Sequence, residues 1–239
     1  MKKADLLNFI NRYYLAGATT SVKWTATAGN VETKFITDDQ NVIGSIVTSL
    51  DLGDNELGVY ATPTLTKMLS AMGDDINVKI NSIDKKSISI DINDTDVDMK
   101  FMLADLSVIR QVPDLKQLPD WNVTINIDKD FIAKFIKAKN ALPDSENFAL
   151  SCKNGLVDII MNYSSINTNR IKFSMSCNSD VCSDMGTTCF SSNLFKEILQ
   201  ANKDAISGTL EVSSAGLGKV VFTGPSYTST YYLVQLQTA

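Results

Sequence analysis

A stretch of this chain returns 130 residues further on, and a repeat of that size commits the molecule to two copies of one folding unit. The first copy reads LGVYATPTLTKMLSAMG, followed by INVKINSIDKKSISIDINDTDVDMKFMLA. The second reads TTCFSSNLFKEILQANKDAISG, followed by TLEVSSAGLGKVVFTGPSYTSTYYLVQL. At this offset Tyr60 matches Phe190, Leu65 matches Phe195, Met68 matches Ile198 and Leu69 matches Leu199. In both copies an aromatic-ended strand turns into a short amphipathic helix and then into alternating strands.

The hydrophobic period extends the pattern upstream of each copy. Residues 4–16 predict a helix with Leu6, Leu7, Ile10 and Tyr14 as its apolar stripe, Arg12 on another face and Gly17 as its stop. Four β-branched strands follow, and Thr62-Pro63 starts the next helix, with Thr62 as N-cap and Gly73 closing it. Strands at about 76–82, 87–92 and 97–103 complete the first unit. Residues 105–120 carry two prolines and no steady period, which marks a connector. Its Val108, Ile109, Val112, Leu115 and Leu118 are too apolar for a free linker. In the second unit Asp128 caps a helix burying Phe131, Ile132, Phe135 and Ile136, and a helix over 191–204 buries Leu194, Phe195, Ile198 and Leu199. The expected fold class is α+β, two similar domains with antiparallel sheets outside and two helices each inside: residues 1–104, the connector 105–120, and 121–239.

The same residues exclude much chemistry. The chain has no histidine, which removes the commonest general base and every Ser-His or Cys-His pair. No dinucleotide, phosphate-loop or nucleophile-elbow motif occurs, so neither an enzyme nor a bound cofactor is expected. Cys177, Cys182 and Cys189 are spaced C-x4-C-x6-C, and with Cys152 a four-thiolate zinc site is conceivable; no CxxC pair is present, however, and the four read better as reduced thiols, some buried in strands, with no metal expected. The acidic run from Asp91 to Asp98 lacks the glycine and terminal glutamate of a calcium loop and reads as two strands joined by an acidic turn. Neither a leader peptide nor a run of roughly 20 apolar residues is found, so no membrane contact is expected and the cytoplasm is the expected location.

Charge is distributed by element. The chain nets −5, yet the four predicted helices and their flanks hold Lys2, Lys3, Arg12, Lys67, Lys129, Lys134, Lys137, Lys139, Lys196 and Lys203 against Asp5, Asp128, Asp130, Glu197 and Asp204. The helices therefore net +5 and the remainder −10. A cationic helix face attracts phosphates without reading bases, and an acidic exterior repels them. Lys134, Lys137, Lys196 and Arg12 are expected opposite the apolar stripes.

The order of elements resembles the DNA sliding clamps, and LGVYATPTLTKMLSAMGDDINVKI, NTNRIKFSMSCNSD and GTLEVSSAGLGKVVFTGPSYTSTYYLVQLQ resemble the T4-type bacteriophage branch, with a fold like that of proliferating cell nuclear antigen. The resemblance spans the whole chain; the acidic hairpin at 91–98 and the Cys-bearing segment 177–189 depart from it. It implies a head-to-tail homotrimer, a ring of six domains around double-stranded DNA contacted without sequence preference by the ten basic residues. Such a processivity factor tethers the replicative DNA polymerase during DNA replication, is placed by an ATP-dependent clamp loader, and here would act in the host-cell cytoplasm. It also implies a partner-peptide pocket beneath the connector, pointing to Val108, Ile109, Val112, Leu115 and Leu118, with Tyr231 and Leu233 as its floor. A ring-forming phage tail or baseplate protein is the alternative. A monomeric single-strand binder would need stacking platforms that Tyr13, Tyr14 and Trp24 do not supply.

Overall fold

In the computed structural model, which describes residues 1–115, 117–166, 168–178 and 181–237, the repeat is carried by the backbone as well as by the side chains. Two compact units form. One holds Met1–Asp38, Gly44–Pro113 and Ser226–Ser229; the other holds Asp39–Ile43, Asp114–Pro225 and the chain from Thr230 on.

In the first unit, helix α1 (Lys3–Tyr14) leads into strands β1 (Val22–Thr27), β2 (Asn30–Ile36), β3 (Val42–Ser49) and β4 (Asn55–Val59). Helix α2 (Thr62–Ser70) and strands β5 (Asn77–Ile83), β6 (Lys86–Asn93) and β7 (Asp98–Met102) follow. The first four strands lie in the order β4-β1-β2-β3, and the last three in the order β5-β6-β7. In the second unit, β8 (Val123–Asn126) and α3 (Lys129–Ala141) precede β9 (Asn147–Lys153), β10 (Leu156–Met161), β11 (Ile171–Ser176) and β12 (Met185–Ser191). Helix α4 (Ser192–Ala201) and strands β13 (Ser207–Ser213), β14 (Leu217–Thr223) and β15 (Tyr227–Val234) close it. Its strand orders are β11-β10-β9-β12 and β15-β14-β13-β8.

The correspondence is close. Helices α2 and α4 begin 130 residues apart. The hairpins β1–β2 and β9–β10 both turn through two left-handed residues, Ala28-Gly29 and Asn154-Gly155, with φ of 52° and 77° in each pair. That is the primed two-residue turn whose twist suits paired strands. Strand β8 pairs with β13; its counterpart in the first unit has shrunk to the first two residues, where Met1 and Ile76 exchange backbone hydrogen bonds and Lys2 bridges Asp75.

Each core is an aromatic cluster between helices and strands. Phe9, Tyr13, Trp24 and Phe35 meet edge-on or tilted in the first unit; Gly44 makes room, since a Cβ there would sit 2.2 Å from the Phe35 ring. Phe135, Phe148 and Phe195 fill the second, with centroids 4.8–5.0 Å apart, and Phe131 and Phe190 extend it. Such pairs add about 0.5–1.5 kcal/mol each beyond the area they bury. The capping residues act as their chemistry dictates: Asp128 accepts from the Phe131 N–H at 2.7 Å and Ser191 from the Leu194 N–H at 3.3 Å.

Three local expectations need correction. Helix α1 buries Leu6, Phe9, Ile10, Arg12 and Tyr13, so its stripe is rotated from the one containing Leu7 and Tyr14, which are only half-buried. Helix α3 buries Phe131, Phe135, Ala138 and Lys139, leaving Ile132 and Ile136 at the margin. The N-cap of α2 is Ala61 rather than Thr62, whose hydroxyl lies 3.3 Å from Tyr13 Oη inside the core. The acidic run does form two strands and a turn. Asp94 accepts from the backbone N–H groups of Gly73, Asp96 and Val97, which hold its carboxyl below the usual carboxylate range.

Candidate nucleic-acid interface

Within the first unit α1 packs beside α2, and within the second α3 packs beside α4, each pair laying its apolar side on strands and turning the other to solvent. The outward side of α3 and α4 presents Lys129, Lys134, Lys137 and Lys203, all exposed, with Lys196 half-exposed. On α2, Lys67 is exposed.

These cations differ from most of those on the sheets. Five sheet lysines are neutralised: Lys23 by Glu56 at 2.5 Å, Lys172 by Asp158 at 2.6 Å, Lys219 by Glu211 at 2.7 Å, and more loosely Lys86 by Asp105 and Lys100 by Asp91; exposed Lys79 on β5 and Lys153 on β9 make no ion pair among the described residues. Among the described residues Lys67, Lys129, Lys134, Lys137 and Lys203 make no ion pair, and Lys196 makes only a 4.0 Å contact with Glu197. Exposed ion pairs add little stability, but they cancel potential. The helices, chiefly those of the second unit, therefore carry a cluster of uncancelled positive charge.

Four of the ten basic residues differ in setting. Arg12 is 3 % exposed, its guanidinium 3.4 Å from the centroid of the Tyr227 ring, so it does not lie opposite the apolar stripe as expected. Lys139 is also buried and donates to the Pro143 carbonyl at 2.5 Å. Burial, and then the charge of Lys196, lower its pKa from the ordinary lysine value. Lys2 is paired with Asp75 at 2.7 Å, and Lys3 donates to the Met72 carbonyl at 2.6 Å.

The connector residues divide by exposure. Val108 is 71 % exposed and Leu115 and Leu118 are each 40 % exposed, while Val112 is half-buried. Ile109 is buried against Gly58, whose carbonyl accepts from the Ala104 N–H at 2.8 Å. Tyr231 and Leu233 lie in the interior of the second unit and offer no surface to a ligand. Tyr231 Oη accepts from Asn202 Nδ2 at 2.9 Å, and Leu233 packs near Gly218. Residue 116 of the connector and residues 179–180 of the Cys-bearing segment lie outside the described residues.

Strand β11 lies where a strand over 170–177 is expected, but its open apolar edge is a feature that sequence reasoning passed over. It pairs only with β10 among the described residues, and its Ile171, Phe173 and Met175 are half-exposed. Their ladder partners Met161, Ile159 and Val157 are fully buried. The alternation in IKFSMS was the available signal. Strand β7 likewise pairs only with β6 among the described residues.

No family model matches the chain, and no curated protein matches it by sequence. Solved structures do match in fold. Over 98 % of this chain and 96 % of the other, proliferating cellular nuclear antigen from Entamoeba histolytica superposes with a TM-score of 0.73 at 15 % identity. The PCNA2–PCNA3 complex from Sulfolobus tokodaii gives 0.74 at 10 % identity, over 98 % of this chain and 97 % of the other. A. fulgidus PCNA bound to the C-terminal region of FEN-1 gives 0.77 at 14 % identity, over 100 % and 98 %. The chain has the α+β fold of these clamps, two units each with two helices and antiparallel sheets.

Proposed function

We propose that this protein is a DNA sliding clamp, a non-enzymatic ring that surrounds duplex DNA and tethers a replicative polymerase. The observation that carries the reading is the concentration of unpaired charge on the helices: five sheet lysines are cancelled by carboxylates, whereas the helix lysines Lys67, Lys129, Lys134, Lys137 and Lys203 are left to attract something anionic. Mobile contacts of this kind suit a ring that must slide, because counterion-release binding is blind to sequence and modest per contact. Lys196 joins the DNA-facing set. Arg12 and Lys139 support the helices that display it, and Lys2 and Lys3 fasten the start of the chain.

Closure follows from the strand edges. Open edges are pairing surfaces, and β11 presents three half-covered apolar side chains along one. Pairing of β11 from one copy with β7 of the next gives a heterologous, head-to-tail contact, which closes into a ring when the rotation fits. With clamp domains at residues 1–104 and 121–239 joined by the connector 105–120, three copies supply six domains. The apolar connector residues, Val108 and Val112 in the first unit and Leu115 and Leu118 in the second, are the contacts for a partner's terminal peptide. The FEN-1 segment bound to A. fulgidus PCNA shows a structurally similar protein holding such a partner. An ATP-driven loader opens the ring on DNA. The quoted segments favour a clamp of a T4-type bacteriophage working in the host cytoplasm.

The test is primer extension on a primed single-stranded circle with the cognate polymerase, loader and ATP. Adding this protein should lengthen products under single-encounter conditions. Products of unchanged length would reject the assignment.

A further inference from the structure

Three of the four cysteines, separated in sequence, converge at one end of the second unit. Cys152 is buried near the end of β9, Cys177 directly follows β11, and Cys182 lies in the segment leading to β12. That segment is docked along β8: Asn178 N–H donates to the Thr124 carbonyl, Thr124 N–H to Val181, and Ser183 N–H to Asn122, all at 2.8–3.1 Å. The three Sγ atoms lie within 4.8 Å of one another, and those of Cys152 and Cys182 are 3.9 Å apart. A tetrahedral zinc centre with bonds of about 2.3 Å places its sulfurs about 3.8 Å apart. A disulfide would engage two sulfurs and strand the third, whereas here β9 delivers one sulfur and the β11–β12 connection delivers two.

We propose that Cys152, Cys177 and Cys182 form a structural site for a thiophilic divalent cation of the zinc class, bound by three thiolates with a fourth position open towards solvent. Soft sulfur ligands select zinc over magnesium or calcium, which prefer oxygen. The carboxylate of Asp184 accepts from the Asn154 N–H at 2.8 Å and lies outside the cluster of ligand atoms. Burial, and then the neighbouring Cys182, raise the Cys152 and Cys177 thiols, the latter to about 12, so the metal enters by displacing protons. The ion would clip the docked segment to β9 and to the exit of β11. Cys189, buried in β12, is outside the cluster and serves as the control.

The experiment is anaerobic titration of the reduced full chain with Co²⁺, followed by displacement with Zn²⁺, on wild type and on Cys152→Ser, Cys177→Ser, Cys182→Ser and Cys189→Ser. Wild type should bind one Co²⁺ per chain with thiolate charge-transfer and tetrahedral d–d bands, and zinc should abolish them. Loss of an outer-sphere partner alone typically costs about 10–100-fold in affinity, so removing any one of the three thiolates should cost more. Cys189→Ser should bind as wild type. If Cys152→Ser misfolds, Cys182→Ser, at the surface, still decides the matter. Absence of cobalt bands in the folded, reduced protein would overturn the proposal, as would undiminished binding in folded Cys182→Ser. Equal alkylation rates of the three thiols with and without Zn²⁺ would do the same.

Discussion

Reversing two charges on α3, Lys134→Glu with Lys137→Glu, isolates the electrostatic part of the account. The two residues are three positions apart on the exposed side of α3 and make no ion pair among the described residues. Substitution there should leave melting within about 0.5 kcal/mol of wild type, as surface changes away from caps and cores generally do. Each lysine–phosphate contact contributes about 0.9 to the slope of log K against log salt, so losing both lowers that slope by about 1.8 per engaged chain. Relative to 1 M salt, where the term vanishes, this corresponds to about 60-fold weaker binding at 0.1 M. The assay is fluorescence anisotropy on a short duplex between about 0.05 and 0.3 M salt, the range in which counterion release dominates. Lys139→Ala is the matched control: Lys139 is buried on the Pro143 carbonyl, so this change should lower stability and leave the slope alone. A folded double variant with the wild-type slope would refute the assignment of α3 to DNA.

Three further outcomes are expected. Asp128→Ala removes the N-cap bond to Phe131 and should lower unfolding free energy by about 1 kcal/mol in a denaturant melt. Met175→Asp places a charge on the half-covered edge of β11 and should shift the native mass from three times 26.2 kDa towards a single chain, with the far-ultraviolet spectrum retained. Asp158, bonded by Lys172 Nζ and Ser174 Oγ at 2.6 Å each, has its pKa held below the ordinary 3.8. Its stabilisation is complete above 3.8 and fades as pH falls through the lower folded value, so Asp158→Asn should flatten the acid limb of the stability profile measured from pH 5 downwards to about 2.

Much of the architecture could be read from residue order alone, because duplication imposes the same apolar spacing twice. Leu65, Leu69, Phe195, Ile198 and Leu199 are buried at the positions the offset indicates. The failures have physical causes. Tyr13 and Arg12 are amphipathic, and tertiary contacts, among them those with Thr62 and Tyr227, bring them inside. In β15 the run Tyr231-Tyr232-Leu233-Val234 is apolar on both faces, so alternation carries no phase; the sheet buries Tyr231 and Leu233 and exposes Val234. Tyr60 and Phe190 match in the repeat, yet Phe190 is 1 % exposed and Tyr60 is 50 % exposed, stacked on Phe101. The cysteine spacing allowed a four-thiolate site but could not select its members: the folded sheet brings Cys152 of β9 to Cys177 and Cys182 of the chain beyond β11 and leaves Cys189 outside.

Encirclement is tested most directly by retention. The protein is loaded onto a nicked plasmid with its loader and ATP, washed with salt concentrated enough to screen lysine–phosphate contacts, and assayed before and after the plasmid is cut once. A closed ring stays on the circle and leaves the linear molecule by sliding off its ends. Equal retention on both forms, or loss from both, would contradict the account.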